Sequence, residues 1–160
     1  MRVFLDADVL FNSVNDLRTR TLLHRIKNAG HDIILSVSVL GEIMLVCISE
    51  DRERDLLSIR NICSELKPNF VVSLDQFRTC KLCLKKFDSR SSNPTDKDHL
   101  ANSLAYISAK NDGKESYFLT TDHYLLDLSL PCTGPKRKCC LFNDKTVLKI
   151  VSIEQLRSLL

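Results

Sequence analysis

Five short apolar runs punctuate the chain, and stretches of helical periodicity separate them. The runs are Val3-Phe4-Leu5, Ile33-Ile34-Leu35, Phe70-Val71-Val72, Tyr117 to Thr121 and Val147 to Val151. Strands alternating with helices predict a parallel sheet covered on both faces, because a parallel strand must be reached by a crossover. The expected elements are strands at 2–6, 33–35, 70–72, 117–121 and 147–151. Helices are expected at 15–29, 38–49, 52–66, 73–87 and 95–110, with a last one after Ser152. The 160 residues suit a single α/β domain spanning 1–160, with an irregular insertion near 129–146. Ser38 is the expected N-cap of its helix, Gly30 the expected stop of the helix before it, and Thr95 to Asp98 has capping-box spacing.

Two of the runs end in a carboxylate. Val3-Phe4-Leu5 leads into Asp6, and Tyr117 to Thr121 leads into Asp122. In open α/β sheets the crevice beyond the carboxyl ends of the strands is where ligands bind. Glu42, in the helix after the second strand, and Asp98, in the first turn of a later helix, also lie near strand-to-helix handovers. Like charges about 4 Å apart repel by roughly 4 kcal/mol at an effective dielectric near 20. Four carboxylates therefore gather only with a cation or with raised pKa values. Oxygen donors without His or Cys suit Mg²⁺ or Mn²⁺. Three of the four acids also have an ordinary explanation: Asp98 as the acid of a capping box, Asp122 as a turn former, Glu42 as one exposed helix stripe. A buried unpaired Glu42 within the apolar segment Val37 to Ile48 is the costliest of the four to leave unexplained.

The pattern resembles the PIN-domain nucleases, and among them the VapC-like toxins of toxin–antitoxin pairs. Phe4-Leu5-Asp6-Ala7-Asp8-Val9-Leu10-Phe11-Asn12 is similar to that family's opening strand motif. Ser38-Val39-Leu40-Gly41-Glu42-Ile43 resembles its second motif, Asp98-His99-Leu100-Ala101 its third, and Phe118-Leu119-Thr120-Thr121-Asp122 its fourth. The resemblance implies an α/β/α domain with an acidic, metal-dependent centre that hydrolyses RNA. It implies Asp6, Asp98 and Asp122 as ligands of one or two Mg²⁺ or Mn²⁺ ions, with Glu42 completing the cluster directly or through water. Asp8, Asn12, Thr120 and Asp96 are expected around that cluster. Asp96 and Asp98 point to different helix faces. Asp98 is favoured because Leu100 and Ala105 then fall where the family has apolar and small residues. A small antitoxin partner and a homodimer are implied in the same way.

Two other classes compete. Asp6-x-Asp8 after an apolar strand also opens the haloacid-dehalogenase-like phosphatases, in which the first Asp is a nucleophile and the second a general acid. Ser36 could pass for that family's second motif. Against it, the chain is short for that fold, Thr121 rather than Gly precedes Asp122, and no Lys is clearly placed for the third motif. The other class is a non-catalytic PIN-like module that binds RNA or protein.

The remaining features discriminate less. The net charge of +3 identifies no partner. Asp6 interrupts the first apolar stretch, and the run from Ile33 to Ile48 is too short and too polar to span a bilayer. The expectation is a cytoplasmic protein with reduced thiols and no membrane partner. Of the seven cysteines, Cys80, Cys83, Cys132, Cys139 and Cys140 could supply a zinc site, but Cys80 and Cys83 lie in a helical pattern; core or surface thiols are expected. Lys136-Arg137-Lys138 and the stripe Arg78, Lys81 and Lys85 are read as solvated surface or as phosphate contacts. His24, His31, His99 and His123 are given no role.

Overall fold

A computed structural model of the chain describes residues 1–72, 94–110, 112–126 and 148–160, with the side chains of 94–97 and 108 excepted. Their elements run β1 (Arg2–Leu5), α1 (Ala7–Asn15), α2 (Leu17–Asn28), β2 (Asp32–Ser36), α3 (Val37–Ser49), α4 (Glu53–Leu66), β3 (Asn69–Val71), α5 (Pro94–Lys110), β4 (Ser116–Leu119), α6 (His123–Leu126), β5 (Leu148–Val151) and α7 (Ile153–Leu159). The helix expected at 73–87 and the insertion near 129–146 lie outside the described residues.

The five strands form one parallel sheet in the order β3-β2-β1-β4-β5. Alternation along each strand assigns side chains to opposite faces. Val3, Leu5, Ile33, Leu35, Tyr117 and Leu119 face one cluster, which is built with the apolar sides of α1, α2, α3, α4 and α7. Phe4, Ile34 and Phe118 face the other, where α5 supplies Leu100, Ala101, Leu104, Ala105 and Ile107 and α6 supplies Leu125. The result is a three-layer α/β/α arrangement. Every residue of β1 and β4 is buried, as central parallel strands require.

Three local differences from the expected elements bear on the site. Residues 7–15 are helical, and the predicted helix 15–29 is the second of two. The Asp6 carboxylate accepts from the Ala7 amide at 2.8 Å and caps α1, so the helix starts at the strand end without an intervening loop. Asp16 then separates α1 from α2 and caps the latter through the amides of Arg18 and Thr19. The N-cap of α3 is Ser36, not Ser38: its hydroxyl accepts from the Val39 amide at 3.3 Å. Finally, α5 begins at Pro94, a favoured first helical position. Asp98 therefore lies one turn inside the helix and not in a capping box opened by Thr95.

Candidate functional site

The strand order changes direction at β1. The chain moves from β1 outward to β2 and β3, then returns to β4 on the other side of β1. A crevice forms at such a switch point, beyond the carboxyl ends of the two diverging strands. Asp6 directly follows β1, and Thr120, Thr121 and Asp122 directly follow β4, with Leu5 and Leu119 in register.

Asp6 is 4% exposed, and both of its oxygens are engaged. Oδ1 accepts from the Ala7 amide at 2.8 Å and lies 3.1 Å from Nδ1 of His99. Oδ2 accepts from the Thr120 hydroxyl at 2.6 Å. The same hydroxyl oxygen accepts from the Asp122 amide at 3.0 Å, so Thr120 ties the two strand ends together. Asp122 turns its carboxylate onto the Tyr124 amide at 2.7 Å as α6 opens. From α1, the Asn12 amide group donates to the Thr121 hydroxyl at 3.2 Å.

Glu42 reaches the site from α3. Its neighbours on that helix, Met44 and Leu45, are 53% and 68% exposed, whereas the Glu42 side chain is only 22% exposed. This inverts the usual amphipathic logic: apolar residues face solvent while the acid turns inward. The exposed-stripe explanation of Glu42 does not hold. Its Oε2 lies 3.1 Å from Nε2 of His99, a close electrostatic contact that is not an aligned hydrogen bond. Burial raises the Glu42 pKa; His99 works against that rise, and Asp6 and Asp8 add to it. The Asp8 carboxyl, on a residue that is exposed overall, is also raised, first by partial desolvation against the protein, then by Asp6 and Asp122, with His99 opposing. Asp8 thus feels the charges of Asp6 and Asp122, and Glu42 those of Asp6 and Asp8.

His99 is the residue that sequence reasoning passed over. It is completely buried and stands between Asp6 and Glu42. An imidazole has one N–H when neutral and two when charged. A carboxylate oxygen lies 3.1 Å from each ring nitrogen, so the ring sits between two acids from different elements. The available signal was position: His99 precedes Leu100, Ala101 and Leu104 on the inward side of α5. The helix is pinned over the end of β2 by a hydrogen bond of 2.8 Å from the Asn102 side chain to the Ser38 hydroxyl.

Asp98 lies beside His99 on α5, half-buried, with one carboxylate oxygen closed off from solvent. The side chain of Asp96 is outside the described set. Among the described residues, no three His, Cys, Asp or Glu side chains converge into a group that could hold a metal ion. The donors are hard oxygens of the type that suits Mg²⁺ or Mn²⁺, but the His99 ring stands between Asp6 and Glu42. Cys47 and Cys63 are free thiols whose pKa burial raises; the other cysteines lie outside the described residues. Among the described residues no helix is long and apolar enough to cross a membrane.

Comparison with protein-family models finds no match, and neither does comparison with curated proteins.

Proposed function

We propose that the chain is a metal-dependent ribonuclease of PIN-like type, hydrolysing RNA phosphodiesters at the crevice between β1 and β4. One observation carries this reading: Asp6 and Asp122 stand at the switch point, joined through Thr120, with Asp8 and Glu42 close enough for their charges to be felt. Such crowding of like charges is relieved by a divalent cation. Asp6, Asp122 and Glu42, with Asp98 from α5, are the donors that would hold Mg²⁺ or Mn²⁺, and because they do not converge as they stand, their side chains would have to turn in toward the ion. The chemistry such an ion would supply at these residues is activation of water toward hydroxide and neutralisation of charge on the phosphate.

The protein's own part is placement. Thr120 fixes Oδ2 of Asp6 and the backbone that carries Asp122. The Ala7 amide and His99 fix Oδ1. His99 holds Glu42 toward the same crevice. Asn12 steadies the Thr121 side of the loop. An aspartyl-phosphate route, with Asp6 as nucleophile, is less well supported, because the carboxylate is buried and both oxygens are engaged.

The test is cleavage of labelled RNA with Mn²⁺ or Mg²⁺ by wild type and by Asp6→Asn. The expected result is metal-dependent cleavage abolished by the substitution; undiminished cleavage by Asp6→Asn contradicts the assignment. A toxin with a small antitoxin and a homodimeric state, acting in the cytoplasm, is the narrower form of the proposal. It predicts growth arrest on expression of wild type and none with Asp6→Asn.

A further inference from the structure

Three guanidinium groups line a groove beside the junction of α1 and α2, where Asp16 separates the two helices. Arg18 and Arg25 come from α2, and Arg157 comes from α7. Leu17, Thr21 and Leu22 complete its walls with Asp16, and its volume is about 550 Å³. Arg18, Thr21, Leu22 and Arg25 recur at helical spacing and form one stripe along α2. The two arginines of that stripe lie two turns apart, about 10 Å along the axis.

The charge of this groove is largely uncompensated. All three arginines are exposed, and among the described residues none lies within ion-pairing distance of a carboxylate. The one acid in the lining, Asp16, is committed to capping α2. It accepts from the amides of Arg18 at 3.1 Å and Thr19 at 3.0 Å, and from the Thr19 hydroxyl at 2.5 Å. Those bonds, with the Arg18 charge as a lesser contribution, hold its pKa low and keep it ionised. Three fixed positive charges against one negative leave a net positive groove.

Its location connects it to the site. The Asp16 amide donates to the Asn12 carbonyl at 2.8 Å, and the Asn12 side chain donates to Thr121, next to Asp122. The groove therefore opens one helical turn, about 6 Å of rise, beyond a residue that touches the site. Its other wall, α7, starts at the same sheet edge. Ser152 caps it directly after Val151, whose carbonyl accepts from the Thr120 amide at 3.2 Å.

We infer that the groove of Arg18, Arg25 and Arg157 binds the phosphate backbone of the single-stranded RNA on its way to or from the carboxylate crevice. Guanidinium forks match phosphate geometry, and a positive groove that tracks the backbone needs no base contacts. The inference rests on the ribonuclease reading for its choice of ligand, and its test separates the two.

The experiment is a binding titration of a fluorescently labelled single-stranded RNA in EDTA, over a range of salt, with the full chain. Wild type is compared with Arg18→Gln, Arg25→Gln, Arg157→Gln and the triple variant. Arg54→Gln serves as the charge control; Arg54 is exposed on α4 outside the groove. Each phosphate contact on a single strand contributes about 0.7 to the slope of log affinity against log salt. Each single variant should lower the slope by about that amount, and the triple variant by about 2. Between about 50 and 200 mM salt, each lost contact corresponds to roughly 2.6-fold less loss of affinity. Arg54→Gln should leave the slope at the wild-type value.

A slope unchanged in the triple variant, or lowered equally by Arg54→Gln, overturns the groove assignment. So does a result in which the triple variant loses affinity for an acidic peptide but keeps its affinity for RNA. A groove that binds RNA in a protein that cuts none with Mn²⁺ would instead leave this inference standing and remove the ribonuclease reading. Circular dichroism of each variant confirms that the fold is retained.

Discussion

Nε2 of His99 lies 3.1 Å from a carboxylate oxygen of Glu42, while Nδ1 of the same ring lies 3.1 Å from Asp6. One imidazole from α5 thereby links an acid at the end of β1 to an acid on α3, across the crevice. The ring is completely buried, so its orientation is set by packing as well as by these two acids. Replacing His99 by Leu leaves both carboxylates facing an apolar group. The expected loss is about 1–3 kcal/mol, the cost of buried polar groups deprived of a partner. Thermal melts should show it as a drop of at least ~2 °C, given ~2–4 °C per kcal/mol for a domain of this size. His99→Asn, which keeps polar atoms in the pocket, should recover part of the stability. In RNA cleavage assays it should require more Mn²⁺ for half-maximal rate, because Asp6 and Glu42 are less well placed. An unchanged Mn²⁺ requirement would show that His99 does no more than fill space.

Thr120→Val tests the bridge between the strand ends. Valine keeps the shape but removes both the bond to Asp6 and the acceptor for the Asp122 amide. Thr120 is fully buried, so the orphaned groups have no ready replacement. A loss of about 1–3 kcal/mol is expected in urea unfolding. Thr120→Ser retains the hydroxyl and should keep most of the stability. Equal stability of the Val and wild-type proteins would contradict the bridge.

The raised carboxyls make a prediction of opposite sign. A carboxyl whose folded pKa exceeds its unfolded value binds its proton more tightly in the folded state. Stability therefore falls as pH rises through that interval, and the penalty is fully present above it. At neutral pH, Glu42→Gln should stabilise the metal-free protein by up to about 1 kcal/mol. Asp8→Asn should gain less, about 0.5 kcal/mol, since Asp8 is exposed and solvent screens its charge. Added Mn²⁺ should raise the melting temperature of wild type more than that of either variant. Destabilised variants, or equal Mn²⁺ shifts, would count against a shared cation.

At the amino ends of the strands, the buried Arg2 forms a two-pronged ion pair with Asp112, with Nη1 2.8 Å from Oδ1. The Arg2 hydrogen bonds hold the Asp112 carboxyl down at about 2, against a usual 3.8. For a depressed carboxyl the sign reverses: its contribution is present above 3.8 and is lost as pH falls toward 2. Acid unfolding of wild type should carry this loss, and Asp112→Asn should flatten stability in that window. A variant whose stability falls as steeply there as wild type would contradict the pairing.

Much of the sheet was legible because central parallel strands are short, apolar and bounded by helical patterns; β1 and β4 were read within a residue or two. The helix from Ala7 is not legible in the sequence because an Asp directly after a strand does not announce itself as a helix cap, the part Asp6 plays here. Ser36 displaced Ser38 as N-cap for a related reason, since a strand can hand over to a helix with no loop between them. In the candidate site, Asp6, Glu42 and Asp122 were legible as acids at handover points. His99 was not, because its partners come from β1 and α3, and no spacing within α5 encodes them. The arginine groove was equally invisible, since Arg157 meets Arg18 and Arg25 only when α7 packs beside α2.

The most direct measurement is anomalous diffraction from a crystal soaked in Mn²⁺. A shared cation gives a peak in the crevice between the carboxylates of Asp6 and Asp122, with Glu42 turned toward it. Anomalous density elsewhere on the protein, with none at that crevice, would contradict the shared-cation site on which the proposed chemistry depends.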